Sequence, residues 1–144
     1  AEDFLAKWQR RIETARAEGQ RVMFVQNDGE EPWDDAPGHP GWELYFKPTD
    51  HERTVRKTTM NVFESNPNLA AELKGEGVAE LEMIGLQSEL CVFESSKGAM
   101  AAGFKVLLPE GMHATYDSED GQAMAPAIAL GIQEQLEAMG ASRA

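Results

Sequence analysis

The stretch Gly85-Leu86-Gln87-Ser88-Glu89-Leu90-Cys91-Val92 puts the chain's one cysteine six residues past a glycine that ends an apolar strand, just where a helix begins. A helix start gathers unpaired backbone N–H groups and the positive end of the helix dipole, which together can hold an oxyanion or favour a thiolate. Cys91 is therefore the candidate nucleophile. The alternative is a small buried apolar side chain, the commoner fate of a solitary cysteine. The other chemistry-bearing groups are less pointed. Asp28, Glu30, Glu31, Asp34 and Asp35 read as the acids of a solvated loop, Lys57 by itself reads as a surface lysine, and His113 reads as a loop residue rather than a general base.

The elements that must position Cys91 follow a repeated grammar of helix, glycine and buried strand. Phe4, Trp8, Ile12 and Ala15 recur at helical spacing up to a C-cap at Gly19, and Val22-Met23-Phe24-Val25 then reads as a strand covered on both faces. A short helix over 68–74 leads through Gly75 and Gly77 to a strand over 79–84 that stops at Gly85. A helix over 89–102 leads through Gly103 to a strand over 104–108. Three αβ units in series predict a parallel sheet with right-handed crossovers and helices on its faces. Ligands in such sheets bind beyond the carboxyl ends of the strands, and Cys91 lies just past one of them.

The helix carrying Cys91 is small-sided, with Ser95, Ser96, Gly98, Ala99, Ala101 and Ala102, which predicts close packing on the sheet. Residues 110–121 read as a loop. Pro126 opens a final helix expected to bury Met124, Ile128, Ile132, Leu136 and Met139. The segment 27–50, with Pro32, Pro37, Pro40, Trp33 and Trp42, has no period and reads as a pocket wall or a subunit contact. Thr54 to Phe63 is a β-prone run ending in a turn at Asn66 and Pro67.

Composition bounds the function. The chain has 144 residues, 42% hydrophobic and 26% charged, the size of a single domain over 1–144 with room for a core. A formal net charge of −12 argues against nucleic acid or an anionic membrane as partner. One cysteine cannot close an internal disulfide, so a cytoplasmic location is expected. No apolar run approaches the ~20 residues of a membrane span, and the acidic N-terminus lacks the pattern of a signal peptide.

Val22 to Asp28, Lys57 to Phe63, Gly85 to Val92 and Gly103 to Thr115 together resemble the isochorismatase-like cysteine hydrolases, which include nicotinamidases and N-carbamoylsarcosine amidase. The most specific part is the strand to Gly85, the hydroxyl at Ser88 where the family commonly has Thr, the Cys91-Val92 pair, the small-residue helix, and the strand after Gly103. The resemblance implies a three-layer α/β/α, doubly wound, mainly parallel sheet. It also implies a catalytic pair, with Cys91 as nucleophile and Lys57 as the cation that favours the thiolate. A cis peptide at Leu86-Gln87 and an oxyanion hole from the N–H groups of Gln87 and Cys91 are implied as well.

The resemblance departs at one place. The family's third catalytic member is an Asp at the end of its first strand, and no Asp here matches it; the chain begins with the helix that should follow that strand. Asp28 ends a different strand and is a poor substitute base. Some nicotinamidases hold a metal on an Asp-x-His pair with a further His, whereas Asp28 is followed by Glu30, and His39, His51 and His113 are scattered. No metal and no cofactor are expected. The expected function is hydrolysis of a small amide or carbamoyl compound by Cys91 assisted by Lys57, in a homo-oligomer, a dimer or larger. The alternative is a catalytically impaired scaffold that acts through oligomerisation.

Overall fold

The computed structural model describes residues 2–143. They fall into two compact units that meet in sequence between Thr59 and Met60.

The first unit opens with helix α1, Glu2–Ala17. Its apolar positions make one stripe, with Trp8, Ile12 and Ala15 buried, and full burial of each large side chain contributes about 1.5–3 kcal/mol. The Phe4 and Trp8 rings meet at 5.6 Å, the separation that i, i+4 spacing permits. Gly19 ends the helix with a φ of 72°, a left-handed conformation that glycine adopts without steric cost. Strand β1, Met23–Asn27, pairs in parallel with β2, Arg53–Lys57, in a register running from Met23 opposite Arg53 to Asn27 opposite Lys57.

Two expectations fail in this unit. Val25 is 40% exposed, so β1 is not covered on both faces; that would take a helix or another layer packed on each face of the β1–β2 ladder, since paired strands cover only its edges. Lys57 is buried, not a surface lysine, because it closes β2 and its ammonium finds acceptors inside the unit.

Parallel strands need a crossover, usually a helix. Here the irregular segment 28–52 serves, with one short 3₁₀ turn at Pro40–Trp42 and polar ties back to the strands. Gln26 Nε2 donates to the Trp42 carbonyl at 2.8 Å, Trp42 Nε1 donates to Asp28 Oδ1 at 2.7 Å, and Asn27 Nδ2 donates to Asp35 Oδ2 at 2.9 Å. Arg56 adds its guanidinium to Asp28 at 2.9 Å and lies 5.3 Å from the centre of the Trp42 ring. At the end of the segment, Arg16 grips Glu52 through Nε at 2.8 Å and Nη2 at 2.7 Å, and the Thr49 N–H donates to the same carboxylate at 2.9 Å.

In the second unit, α2 (Val62–Ser65) and α3 (Leu69–Gly75) precede β3 (Glu80–Glu82), β4 (Gly85–Leu86), α4 (Phe93–Ala101), β5 (Lys105–Leu107), β6 (His113–Ala114) and α5 (Ala125–Ala138). β3 pairs with β5 and β4 with β6, both in parallel, so the chain is mixed α/β with parallel strand pairs and helices. The strand expected over 79–84 is shorter, ending at Glu82, and Gly85 opens a second strand rather than only closing the first. Gly85, at φ 121°, bends the chain from one partner to the next: the Met83 N–H donates to the Leu107 carbonyl and the Gly85 N–H to the Met112 carbonyl. Residues 110–121 are likewise not all loop, since β6 lies within them.

The core of this unit holds Leu69, Leu73, Val92, Ala99, Phe104, Val106, Leu108, Ile132 and Leu136. Met124 and Met139, expected in it, are 49% and 51% exposed. They cap the two ends of α5, where the stripe has run past its partners, and Gln133 occupies an inner position instead. The small face of α4 also differs from expectation. At Gly98 the close neighbour is not the sheet but Asn61, whose Oδ1 would lie 2.3 Å from an added Cβ. That Oδ1 accepts from the Phe63 N–H at 3.0 Å and so caps α2, while Ser95 Oγ donates to the Met60 carbonyl and accepts from the Val62 N–H.

Two predictions follow from these contacts. In an open helix Gly→Ala stabilises by about 1 kcal/mol, but Gly98→Ala is expected to destabilise by about 1–2 kcal/mol because it displaces the α2 cap and overpacks the contact. In an Asn61→Gly background the loss should shrink or reverse, which thermal unfolding followed by circular dichroism reads directly. The hydrogen bonds from Arg16 hold the Glu52 carboxyl down to about 2, below its ordinary 4.5. Its stabilisation is complete above pH 4.5 and is lost as pH falls through about 2. All three tryptophans lie in the first unit, so urea unfolding read by their fluorescence should lose stability less steeply between pH 5 and 2 in Glu52→Gln than in the parent. Equal slopes would remove the Arg16–Glu52 pair as the cause.

Candidate active site

Cys91 sits in a wide helical turn, Ser88–Val92, that joins β4 to α4. The turn is closed by the Val92 N–H donating to the Gln87 carbonyl at 3.1 Å, one residue wider than an α-helical turn, and the Leu90 N–H shares that carbonyl at 3.2 Å. The Leu86–Gln87 peptide bond is cis. Cys91 is half-buried. Wide turns of this kind are rare, occur mostly as single turns and frequently mark functional sites.

The turn is fastened from beneath by a chain of buried polar side chains. Ser88 is fully buried, and its Oγ lies 2.7 Å from His113 Nδ1 on β6. His113 Nε2 lies 2.8 Å from Gln133 Oε1 on α5. Gln133 Nε2 donates to the Leu108 carbonyl and to Glu137 Oε2, each at 2.8 Å. With both amide protons spent on acceptors, Gln133 can offer His113 only its oxygen, so His113 Nε2 carries a proton. In the neutral ring Nδ1 is then an acceptor, and the Ser88 hydroxyl donates to it. Hydrogen bonds from Arg143 and then Gln133 hold the Glu137 carboxyl below the usual glutamate range.

His113 is thus a buried strand residue with both ring nitrogens engaged, not the loop residue that the sequence suggested. It was missed because a two-residue strand has no periodicity to read. Gln133 did leave a signal: it stands in line with Ala129 and Leu136 on α5, a polar residue on the inner side of an amphipathic helix. Beside the turn, Thr115 Oγ1 donates to Glu89 Oε1 at 2.5 Å.

The remaining candidates lie in the first unit. Lys57 Nζ donates to Asn27 Oδ1 at 2.9 Å and to the Thr59 carbonyl at 3.2 Å. Asp28 is committed elsewhere: partial burial pushes its carboxyl up, but hydrogen bonds from Trp42 and Arg56 outweigh this and hold it below the usual range. His39 Nε2 faces Glu31 Oε1 at 2.7 Å, and His51 is exposed. Among the described residues no three His, Cys, Asp or Glu side chains are grouped to hold a metal ion. No helix among the described residues is long and apolar enough to cross a membrane.

Streptothricin hydrolase of Streptomyces noursei is 44% identical to the chain over 108 residues, which is 74% of this chain and 42% of that protein. The chain therefore spans less than half the length of this curated relative. A crystal structure of an isochorismatase family protein superposes with a TM-score of 0.80 at 27% identity, covering 92% of this chain and 78% of the other. Pyrazinamidase of Pyrococcus horikoshii in complex with zinc shares the fold, with a TM-score of 0.82 at 18% identity over 98% of this chain and 84% of that one. The isochorismatase domain itself matches residues 1–135. The chain belongs to the isochorismatase family.

Proposed function

We propose that the chain acts as a cysteine hydrolase on the C–N bond of a small amide or carbamoyl compound. The observation that carries this reading is the mounting of Cys91: a half-buried thiol in a wide turn at the start of a helix, past the carboxyl end of a parallel strand. In this reading the Cys91 thiolate attacks the carbonyl carbon, and the oxygen takes the negative charge against the N–H groups of Gln87 and Cys91. The C–N bond then breaks as the nitrogen receives a proton and leaves as the amine or ammonia. Water attacks the resulting thioester, releasing the acid and restoring the thiol. Lys57 keeps the role that the family resemblance implies, favouring the thiolate and handling protons. Its burial supports this, since a buried ammonium is costly and is rarely left without a task.

The isochorismatase membership and the likeness to streptothricin hydrolase support the hydrolytic class. Streptothricin is accordingly the first compound to test, beside a panel of carboxamides and N-carbamoyl compounds. A homo-oligomer, a cytoplasmic setting and a single hydrolase domain over 1–144 belong to the same proposal.

Brief iodoacetamide treatment near neutral pH, read by intact mass, should give one rapid adduct confined to Cys91. Lys57→Met should slow that labelling about tenfold or more, and Cys91→Ala should abolish release of ammonia or of a new carboxylate from the panel. Labelling that appears only after denaturation would instead favour a non-catalytic scaffold.

A further inference from the structure

The wide turn that carries Cys91 demands more support than an α-helical turn, because its hydrogen bonds enclose one extra residue and leave its axis less well packed. A slip to the tighter register would rotate Cys91 by roughly 100° about the helix axis. Inside the turn, the Gln87 carbonyl holds the Leu90 and Val92 N–H groups. From outside, the first residue of the turn is held by its side chain: Ser88 Oγ, fully buried, meets His113 Nδ1 at 2.7 Å. The hydroxyl proton has this ring nitrogen as its acceptor only while Nδ1 is unprotonated, and in the neutral ring Gln133 selects that tautomer by presenting an oxygen to Nε2 at 2.8 Å.

We infer that His113, as the Nε2–H tautomer, is a positioning residue for the proposed reaction. Through Ser88 it fixes the register of the turn and hence the direction of the Cys91 sulfur. It touches no reacting atom. Its role rests on Cys91 being the nucleophile, yet it predicts a property of the thiol that needs no substrate to observe.

Two replacements divide the ring's functions. Asparagine at this position can place an amide oxygen near the site of Nδ1 and still accept from Ser88. Glutamine places its amide near Nε2 and serves Gln133 while abandoning Ser88. His113→Gln and Ser88→Ala are each expected to slow iodoacetamide labelling of Cys91 about tenfold or more, with native circular dichroism retained. His113→Asn should stay within about threefold of the parent. Where a substrate has been found, kcat should follow the labelling rate while KM stays nearly constant. Equal slowing in the Asn and Gln variants, with both folded, would show that the ring acts only by filling space and would overturn the inference. So would unchanged labelling in Ser88→Ala.

A measurement on the unmutated chain stands apart from any folding defect. The ¹⁵N shifts of the His113 imidazole at pH 7.5 should show a protonated Nε2 and a bare Nδ1; the opposite tautomer, or a ring protonated on both nitrogens, would overturn the inference. If labelling depends on His113 as described but no amide is cleaved, the positioning role stands and the hydrolase reading fails on its own.

Discussion

A hydroxyl with no exposed surface must find a hydrogen-bond partner inside the protein, or it costs about 1–3 kcal/mol in lost hydration. Ser88 is such a group, and the arrangement of the second unit around Cys91 follows from how it is satisfied. Its acceptor is an imidazole on β6, which Gln133 on α5 orients, and Gln133 is itself oriented by the Leu108 carbonyl and Glu137. Three separate elements are thereby tied to one turn. Each link is ordinary in strength, about 0.5–1.5 kcal/mol net. The chain matters because breaking any link strands two buried polar atoms at once, so the unit has few cheap alternative packings near Cys91.

The first unit solves a different problem with different means. Its two parallel strands are joined by a segment with almost no regular structure, and backbone hydrogen bonding alone cannot hold that segment in place. Carboxylates do much of it instead: Asp28 collects Trp42 and Arg56, Asp35 meets Asn27, and Glu52 meets Arg16 and Thr49. In a chain of net charge −12, the two arginines among these partners, Arg56 and Arg16, also offset self-repulsion. These anchors are carboxylates, whereas Ser88, His113 and Gln133 are tied to one another by hydrogen-bond direction.

What could be read from the sequence was whatever repeats. The helices α1 and α5, the parallel αβ grammar and the glycine at Gly19 all announce themselves through spacing, because periodic burial needs periodic apolar residues. The resemblance around Gly85 to Val92 is what singled out Cys91 as the candidate nucleophile. What escaped was either short or polar. β6 is two residues long, so His113 looked like loop; Gly98 looked like a contact with a sheet, while its real neighbour, Asn61, is distant in sequence. Met124 and Met139 obeyed the helical period and still lie at the surface, because a stripe says which side of a helix faces inward and not how far along it the neighbours extend. Lys57 could not be placed at all by pattern, since a buried lysine is recognised by its acceptors and those are tertiary.

The magnitudes then say which part of the proposed chemistry the second unit can supply by itself. Ionising half of an ordinary thiol at neutral pH takes about 2 kcal/mol. The start of a helix contributes about 0.3–1 kcal/mol to a nearby anion at an exposed position, and more only where the site is partly buried. Cys91 is half-buried in the turn that leads into α4. In the proposed reaction a positive group supplies the remainder, and Lys57 is the one that the family resemblance implies. Rigid mounting and ionisation are thus separable demands. In the proposed reaction the first falls to hydrogen-bond direction, through Ser88 and His113, and the second to charge; on that reading a chain that lost the cation would still present a well-aimed but sluggish sulfur.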